Sequence, residues 1–128
     1  MSAITLAARL EKKLILMSRD EALKTQLRAA LPDGWRMAET LALASLGEFQ
    51  DILLYRFMLL DLDAPDGDFD AQEVIRAVRM ELMLNLPIFC FGGIADERDE
   101  ARLNRADRFF ERGEMVERLV QFCRQYAW

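Results

Sequence analysis

Residues 57–67 read Phe57-Met58-Leu59-Leu60-Asp61-Leu62-Asp63-Ala64-Pro65-Asp66-Gly67. Four apolar residues run into an acid, and Ala64-Pro65-Asp66-Gly67 then breaks the run. A continuous apolar run closed by turn residues is the pattern of a strand buried on both faces. Such strands belong to parallel sheets covered by helices. In open sheets of that kind, ligands and chemistry collect just beyond the carboxyl ends of the strands. Asp61 stands there, at the last buried step before the loop, and is the centre of any site the chain carries.

The flanking sequence repeats the alternation. Lys13–Ser18 is a first buried strand, followed by a helix with Leu23, Leu27, Ala30 and Leu31 on one face. Ser18 and Glu21 have capping-box spacing, with Ser18 as the expected N-cap. Pro32-Asp33-Gly34 stops this helix, and Trp35–Thr40 is a short second strand. Leu41–Ala44 reads as loop. Ser45 and Glu48 repeat the capping-box spacing and open a helix carrying Leu46, Phe49 and Leu53, weakened by Gly47. The central strand spans about Tyr55–Leu60. Asp70 and Glu73 then open a helix that aligns Ala71, Val74, Ile75, Val78 and Leu82, with Arg76 and Arg79 turned away. Pro87–Phe91, a charged helix over Asp96–Ala106, a strand at Arg108–Glu111 and a last helix over Glu114–Ala127 complete the chain.

Five rounds of strand then helix predict an α/β fold, with a parallel sheet, right-handed crossovers and helices on both faces. The flavodoxin-like strand order 2-1-3-4-5 suits five strands and puts the switch point between the first and third. Residues 1–12 read as an amino-terminal extension and 13–128 as a single domain.

Composition excludes several functions. The chain has 128 residues, 52% of them hydrophobic, enough for one packed core. Its net charge is −5, from 17 basic and 22 acidic residues, and a basic face for nucleic acid is not expected. The 14 arginines and 3 lysines scatter over outer helix faces without interleaved aromatics. No apolar stretch approaches the ~20 residues that span a bilayer. The first residues lack a basic segment before their apolar part, so the cytoplasm is the expected compartment. Cys90 and Cys123 form no paired motif and are expected as buried free thiols. There is no histidine, which excludes histidine general-base chemistry and histidine-ligated metal within this chain.

From Lys13 to Tyr126 the sequence resembles the receiver domain of two-component response regulators. Leu59-Leu60-Asp61-Leu62-Asp63-Ala64-Pro65-Asp66-Gly67 is similar to that family's acceptor-strand pattern, including the Pro four residues after the Asp. The spacing from Trp35 to Asp61 matches without a gap, and Arg105-Ala106-Asp107-Arg108-Phe109-Phe110 resembles the start of the fifth strand. The resemblance implies transfer of a phosphoryl group from a kinase phosphohistidine to Asp61, with Mg²⁺ bound. It also marks departures. Where the family has two metal-binding acids after the first strand, this chain has Ser18 and Arg19, and Asp20 matches neither position. The switch hydroxyl at the end of the fourth strand is replaced by Gly92. The lysine after the fifth strand is replaced by Arg112 and the following Pro by Gly113, while Phe109 matches the switch aromatic. The resemblance is therefore to a degenerate receiver, or pseudo-receiver, expected to carry no cofactor. Asp61 then has a purely structural alternative, as an acid lying near a cation such as Arg19 or Arg112.

The acids Asp61, Asp63, Asp66, Asp68, Asp70 and Glu73 suggest calcium, but the EF-hand register fails at Leu62 and Ala64. A flavodoxin-like enzyme lacks support, because Ser18-Arg19-Asp20-Glu21 is no glycine-rich phosphate loop. The expected function is a signalling module that acts by protein–protein contact, not an enzyme. The alternative is a true phosphoacceptor that receives its phosphoryl group from a histidine kinase and needs Mg²⁺. Expected partners are proteins, a kinase or effector or a second copy, with neither nucleic acid nor membrane. The family's usual docking face includes the last helix. There Met115, Phe122 and Tyr126, with Arg102 and Arg118, are the expected interface, while Val116, Leu119, Val120 and Cys123 cover the core.

Overall fold

The computed structural model describes residues 5–63 and 69–128. Five strands, β1 (Lys12–Met17), β2 (Trp35–Glu39), β3 (Met58–Asp61), β4 (Ile88–Phe91) and β5 (Arg108–Phe110), form one sheet. Every pairing is parallel and the order is β2-β1-β3-β4-β5, as the alternation predicts. The register sets Met17 beside Leu60 and Asp61 beside Phe91, which brings the carboxyl ends of the three central strands level.

Successive side chains along a strand point to opposite faces, and the core divides accordingly. On one face Ile15, Met17, Met58, Leu60, Ile88 and Cys90 pack with Ile52 of α3 (Phe49–Ile52), Val74 and Ile75 of α4 (Ala71–Arg76), and Ala101 of α5 (Ala95–Leu103). On the other, Leu14, Leu16, Phe57, Leu59, Phe89 and Phe91 pack with Leu23 and Leu27 of α2 (Glu21–Ala30) and with α6 (Met115–Gln125). A short helix, α1 (Leu6–Leu10), precedes β1 and buries no residue.

Several local expectations need correction. Ser18 does not cap α2. Asp20 does, accepting the Leu23 N–H, because the Ser18 hydroxyl is drawn to Asp61 instead. Ser45 opens no helix, and the stretch read as loop runs into a 3₁₀ turn over Leu43–Leu46. Gly47, at φ 111°, ends that turn, and Glu48 caps the single-turn α3 through a reciprocal box with Asp51. Asp70 caps α4 as expected, by accepting the Gln72 N–H. The α4 helix continues as a π-turn over Ala77–Glu81. Arg79 is not turned away. It bends back to donate to the Leu84, Leu86 and Arg105 carbonyls and to Asp107, which tightens the loops before β4 and β5.

The last helix is rotated relative to the expected phase. Its buried stripe is Met115, Leu119, Phe122 and Cys123, while Val116 and Val120 lie only half-buried on its margin. Met115 and Phe122 are 0% and 1% exposed and so cannot form a docking surface. Phe122 stacks on Phe89 with ring centroids 4.2 Å apart, and meets Phe57 and Phe110 at 5.7 and 5.5 Å. Tyr126 is half-buried against Phe57. The Arg118 guanidinium lies over the Phe110 ring and Arg102 over Phe109. An arene cluster this dense needs α6 pressed face-on to the sheet, and that sets the helix phase.

A second unforeseen residue is Arg56, which is 5% exposed just before β3. It donates to the carbonyls of Leu10, Glu11, Tyr126 and Trp128 and stacks under the Trp128 ring. Burial lowers its pKa from the ordinary value, and four carbonyl dipoles offset that cost.

Cys90 and Cys123 are free and buried. Burial pushes both thiols up to about 12. At pH 8 that leaves a thiolate fraction of about 10⁻⁴, against roughly a quarter for an exposed cysteine. Both thiols are therefore expected to react with an aromatic disulfide reagent at least ~10³-fold more slowly in the native protein than after denaturation, followed by absorbance.

Candidate functional site: an acidic cleft closed by an arginine

The cleft lies where β1 and β3 end and their chains diverge toward opposite faces of the sheet, the place the strand order marks. Asp61 is the last residue of β3 and is 5% exposed. Ser18, immediately after β1, is 4% exposed, and its hydroxyl donates to Asp61 Oδ2 at 2.6 Å. The same hydroxyl accepts the Asp20 N–H at 3.1 Å, which places Asp20 at the start of α2. On the other oxygen, Asp61 Oδ1 accepts the Asp63 N–H at 2.9 Å and Arg112 Nη2 at 2.6 Å.

Arg112 follows β5, at the start of a 3₁₀ turn (Arg112–Glu114) that leads into α6. Its guanidinium lies over the Phe91 ring, 5.0 Å from the centroid, and meets three carboxylates. Nη2 donates to Asp61 Oδ1 and to Asp63 Oδ2, both at 2.6 Å, and Nη1 donates to Asp20 Oδ2 at 2.9 Å. The remaining oxygens bond elsewhere: Asp63 Oδ1 takes the Gly93 N–H at 2.8 Å and Asp20 Oδ1 the Leu23 N–H at 3.0 Å. Each of the six carboxylate oxygens thus holds at least one internal hydrogen bond.

The electrostatics follow from this geometry. Burial works against the Arg112 charge, but hydrogen bonds to Asp61 and Asp63 and the charges behind them outweigh it, so the guanidinium is held above its ordinary value. The hydrogen bond from Arg112 is the main reason the Asp63 carboxyl is held below its usual 3.8, supported by the Gly93 N–H.

Gly92 sits at φ +70°, and a Cβ built there would lie 2.2 Å from Asp63 Oδ2 and 3.2 Å from Arg112. The volume a side chain at position 92 would use is therefore filled by the Asp63 carboxylate. Arg98, from α5, closes the far side. It donates to the Gly92 carbonyl at 2.9 Å and to Glu111 at 3.3 Å.

Of the residues expected from sequence, Asp61, Ser18, Asp20 and Arg112 are in direct contact, and Gly92 stands beside them. Arg19 is exposed, and Phe109 is half-buried on the other face of the sheet, under Arg102. Asp63 and Arg98 were missed as members of the site. The Asp-Leu-Asp spacing at the strand end was a signal for the first; nothing distinguished Arg98 among the scattered arginines. Of the acid run considered for calcium, Asp66 and Asp68 lie outside the described residues. Among the described residues no group of three or more acids, cysteines or histidines is arranged to hold a metal ion. Among them, too, no helix is long and apolar enough to cross a membrane.

No protein-family model matches the chain, and no curated protein matches it. Solved structures do. A response-regulator signal receiver domain from Bermanella marisrubri is 20% identical, with TM-score 0.70 over 92% of this chain and 99% of that one. The phosphorylated cyanobacterial phytochrome response regulator RcpA is 18% identical, with TM-score 0.68 over 90% of each chain. The receiver domain of the TMAO respiratory-system response regulator TorR is 19% identical, with TM-score 0.67 over 90% of this chain and 98% of that one. The fold of this chain is that of the flavodoxin-like receiver domains.

Proposed function

We propose that this protein is a signalling module of the receiver fold that acts by contact with a protein partner, without Mg²⁺-dependent phosphorylation of Asp61. One observation carries the reading. The Asp61 carboxylate is held from one side by Ser18 and from the other by Arg112, which also binds Asp20 and Asp63.

Phosphoryl transfer to a carboxylate requires a free lone pair aimed at the incoming phosphorus, and a cation that offsets charge on the transferring group. In the resembling family that cation is Mg²⁺, a hard ion that wants oxygen ligands and tolerates little distortion. The residues of this cleft do not suit it. Ser18 and Arg19 stand where the family has acids, and the acids that are present already bind a guanidinium. The switch position is Gly92, which offers no hydroxyl to a phosphoryl oxygen. A cleft built this way holds one arrangement and transmits no phosphorylation signal.

The module is a binding protein rather than an enzyme, holds no cofactor, and works on a protein partner. The cytoplasm is the compartment we propose for it, and its two unpaired thiols suit a reducing one. The test is incubation of the wild type with acetyl phosphate and Mg²⁺, followed by intact mass. The expected result is no stoichiometric adduct. An adduct that is absent in Asp61→Asn supports the alternative, in which Asp61 is a working phosphoacceptor.

A further inference from the structure

We infer that the amino-terminal end of the sheet carries a site for a small organic oxyanion, a carboxylate or a phosphate monoester, held between Lys13 and Arg36 beside the Tyr55 ring. The site lies at the end of the strands away from Asp61, and its occupancy does not depend on how that acid behaves.

Lys13 of β1 and Arg36 of β2 are partners in the strand register, so their side chains share one face of the sheet. On its way to β3 the chain after β2 forms only a 3₁₀ turn and the single-turn α3. A cavity of about 380 Å³ remains, lined by Lys13, Arg36, Met37, Ala38 and Tyr55. That volume is within the roughly 300–1,000 Å³ of small-molecule sites.

Both cations have donors to spare. Lys13 is 9% exposed, and lysines are seldom buried so far unless closely paired. Its ammonium carries three donors. Among the described residues it nevertheless makes no hydrogen bond to another protein group. Its contacts are the Tyr55 ring, with Nζ 4.6 Å from the centroid, and Glu11 Oε2 at 3.5 Å. Arg36 Nη2 lies 3.8 Å from the same oxygen and, among the described residues, its guanidinium makes no hydrogen bond either. Glu11 therefore offsets one of two positive charges and fills none of their hydrogen-bond capacity. Asp51, the other acid near Tyr55, is held by the Glu48 N–H. Burial holds the Tyr55 phenol above its ordinary 10.0, so at neutral pH it adds no negative charge. A compact ammonium and a planar guanidinium converging on one place suit the oxygens of a carboxylate or a phosphate. The Tyr55 ring and Ala38 offer apolar surface to the body that carries them.

The experiment titrates ¹⁵N-labelled protein with phenyl phosphate and, separately, with benzoate, followed by amide chemical shifts. Sodium chloride at matched ionic strength is the control. At least one of the two is expected to shift the Lys13, Arg36 and Tyr55 amides saturably, with a half-point of about 1 mM or tighter. Which one binds tells phosphate from carboxylate. Arg36→Gln, at a side chain 71% exposed, leaves the fold intact and should weaken binding at least ~10-fold. Lys13→Met, which keeps the buried stem without the charge, should do the same; if it does not fold, Arg36→Gln decides. Glu11→Gln removes the competing carboxylate and should tighten binding by about threefold.

No saturable shift with either compound overturns the inference. So do equal shifts with chloride, the mark of an adventitious ion only. An R36Q protein that binds like the wild type, or an E11Q protein that binds no tighter, overturns it too.

Discussion

Phe122→Ala is expected to destabilise the protein by about 3–5 kcal/mol, the range for removing a fully buried ring that the surroundings cannot replace. Phe122 is 1% exposed, stacked on Phe89, and in contact with Phe57 and Phe110. Those neighbours are the residue just before β3, one residue of β4 and one of β5, so the cavity opens where the sheet meets α6. Rings anchored on strands cannot follow a retreating helix side chain, and collapse into the space is limited. The total stability of a domain is roughly 5–15 kcal/mol, so the loss is a large share of it. Urea denaturation should show a lower midpoint with an unchanged slope. A cost under about 1 kcal/mol would mean that α6 is not seated on the sheet through this ring. Phe122→Glu, which would bury a charge among those rings, is expected to leave no folded protein to assay.

Gly92→Thr is expected to cost about 2–4 kcal/mol and not to rebuild a phosphorylation switch. Thr would return a hydroxyl to the position where the resembling family carries one. At φ +70°, however, a β-branched residue is strained, and its Cβ would lie 2.2 Å from Asp63 Oδ2. Asp63 would have to leave Arg112 and the Gly93 N–H. Its side chain is 47% exposed, so those bonds are worth less than buried ones. A double-mutant cycle separates strain from clash. With Asp63→Ala already in place, Gly92→Thr should cost roughly 1 kcal/mol less than it does alone. If the two costs simply add, Asp63 does not fill the space at position 92. The hydroxyl switch and the Asp63–Arg112 contact thus compete for one volume.

What could be read from the sequence divides along a physical line. Strands buried on both faces announce themselves as apolar runs, and their alternation with helices leaves few topologies. The sheet, its order and the place of Asp61 were therefore accessible. The identity of the cation beside Asp61 was not. Arg19 and Arg112 both stand near the carboxyl ends of strands, and which guanidinium reaches the acid depends on three-dimensional aim over a long side chain. The cap of α2 failed for a related reason. Ser18 and Asp20 both suit an N-terminus, and only the buried partner at Asp61 decides between them. The α6 phase was ambiguous in a different way. The expected stripe and the observed one share Leu119 and Cys123, and they differ by exchanging Val116 and Val120 for Met115 and Phe122. A helix apolar over much of its girth carries no internal mark of which side faces the sheet. The aromatic partners Phe57, just before β3, Phe89 of β4 and Phe110 of β5 supply that mark.

Arg56 has a consequence for how the molecule opens. A single side chain gathers carbonyls from the segment before β1 and from the segment after α6. Segments far apart in sequence ordinarily open independently, each with its own small opening free energy. Here the segment before β1 and the segment after α6 bond different nitrogens of one guanidinium, so loosening either leaves that buried group short of acceptors and weakens its hold on the other. The lip of the sheet opposite the acidic cleft therefore opens as one cooperative unit, and amide exchange in its first and last segments rises and falls together.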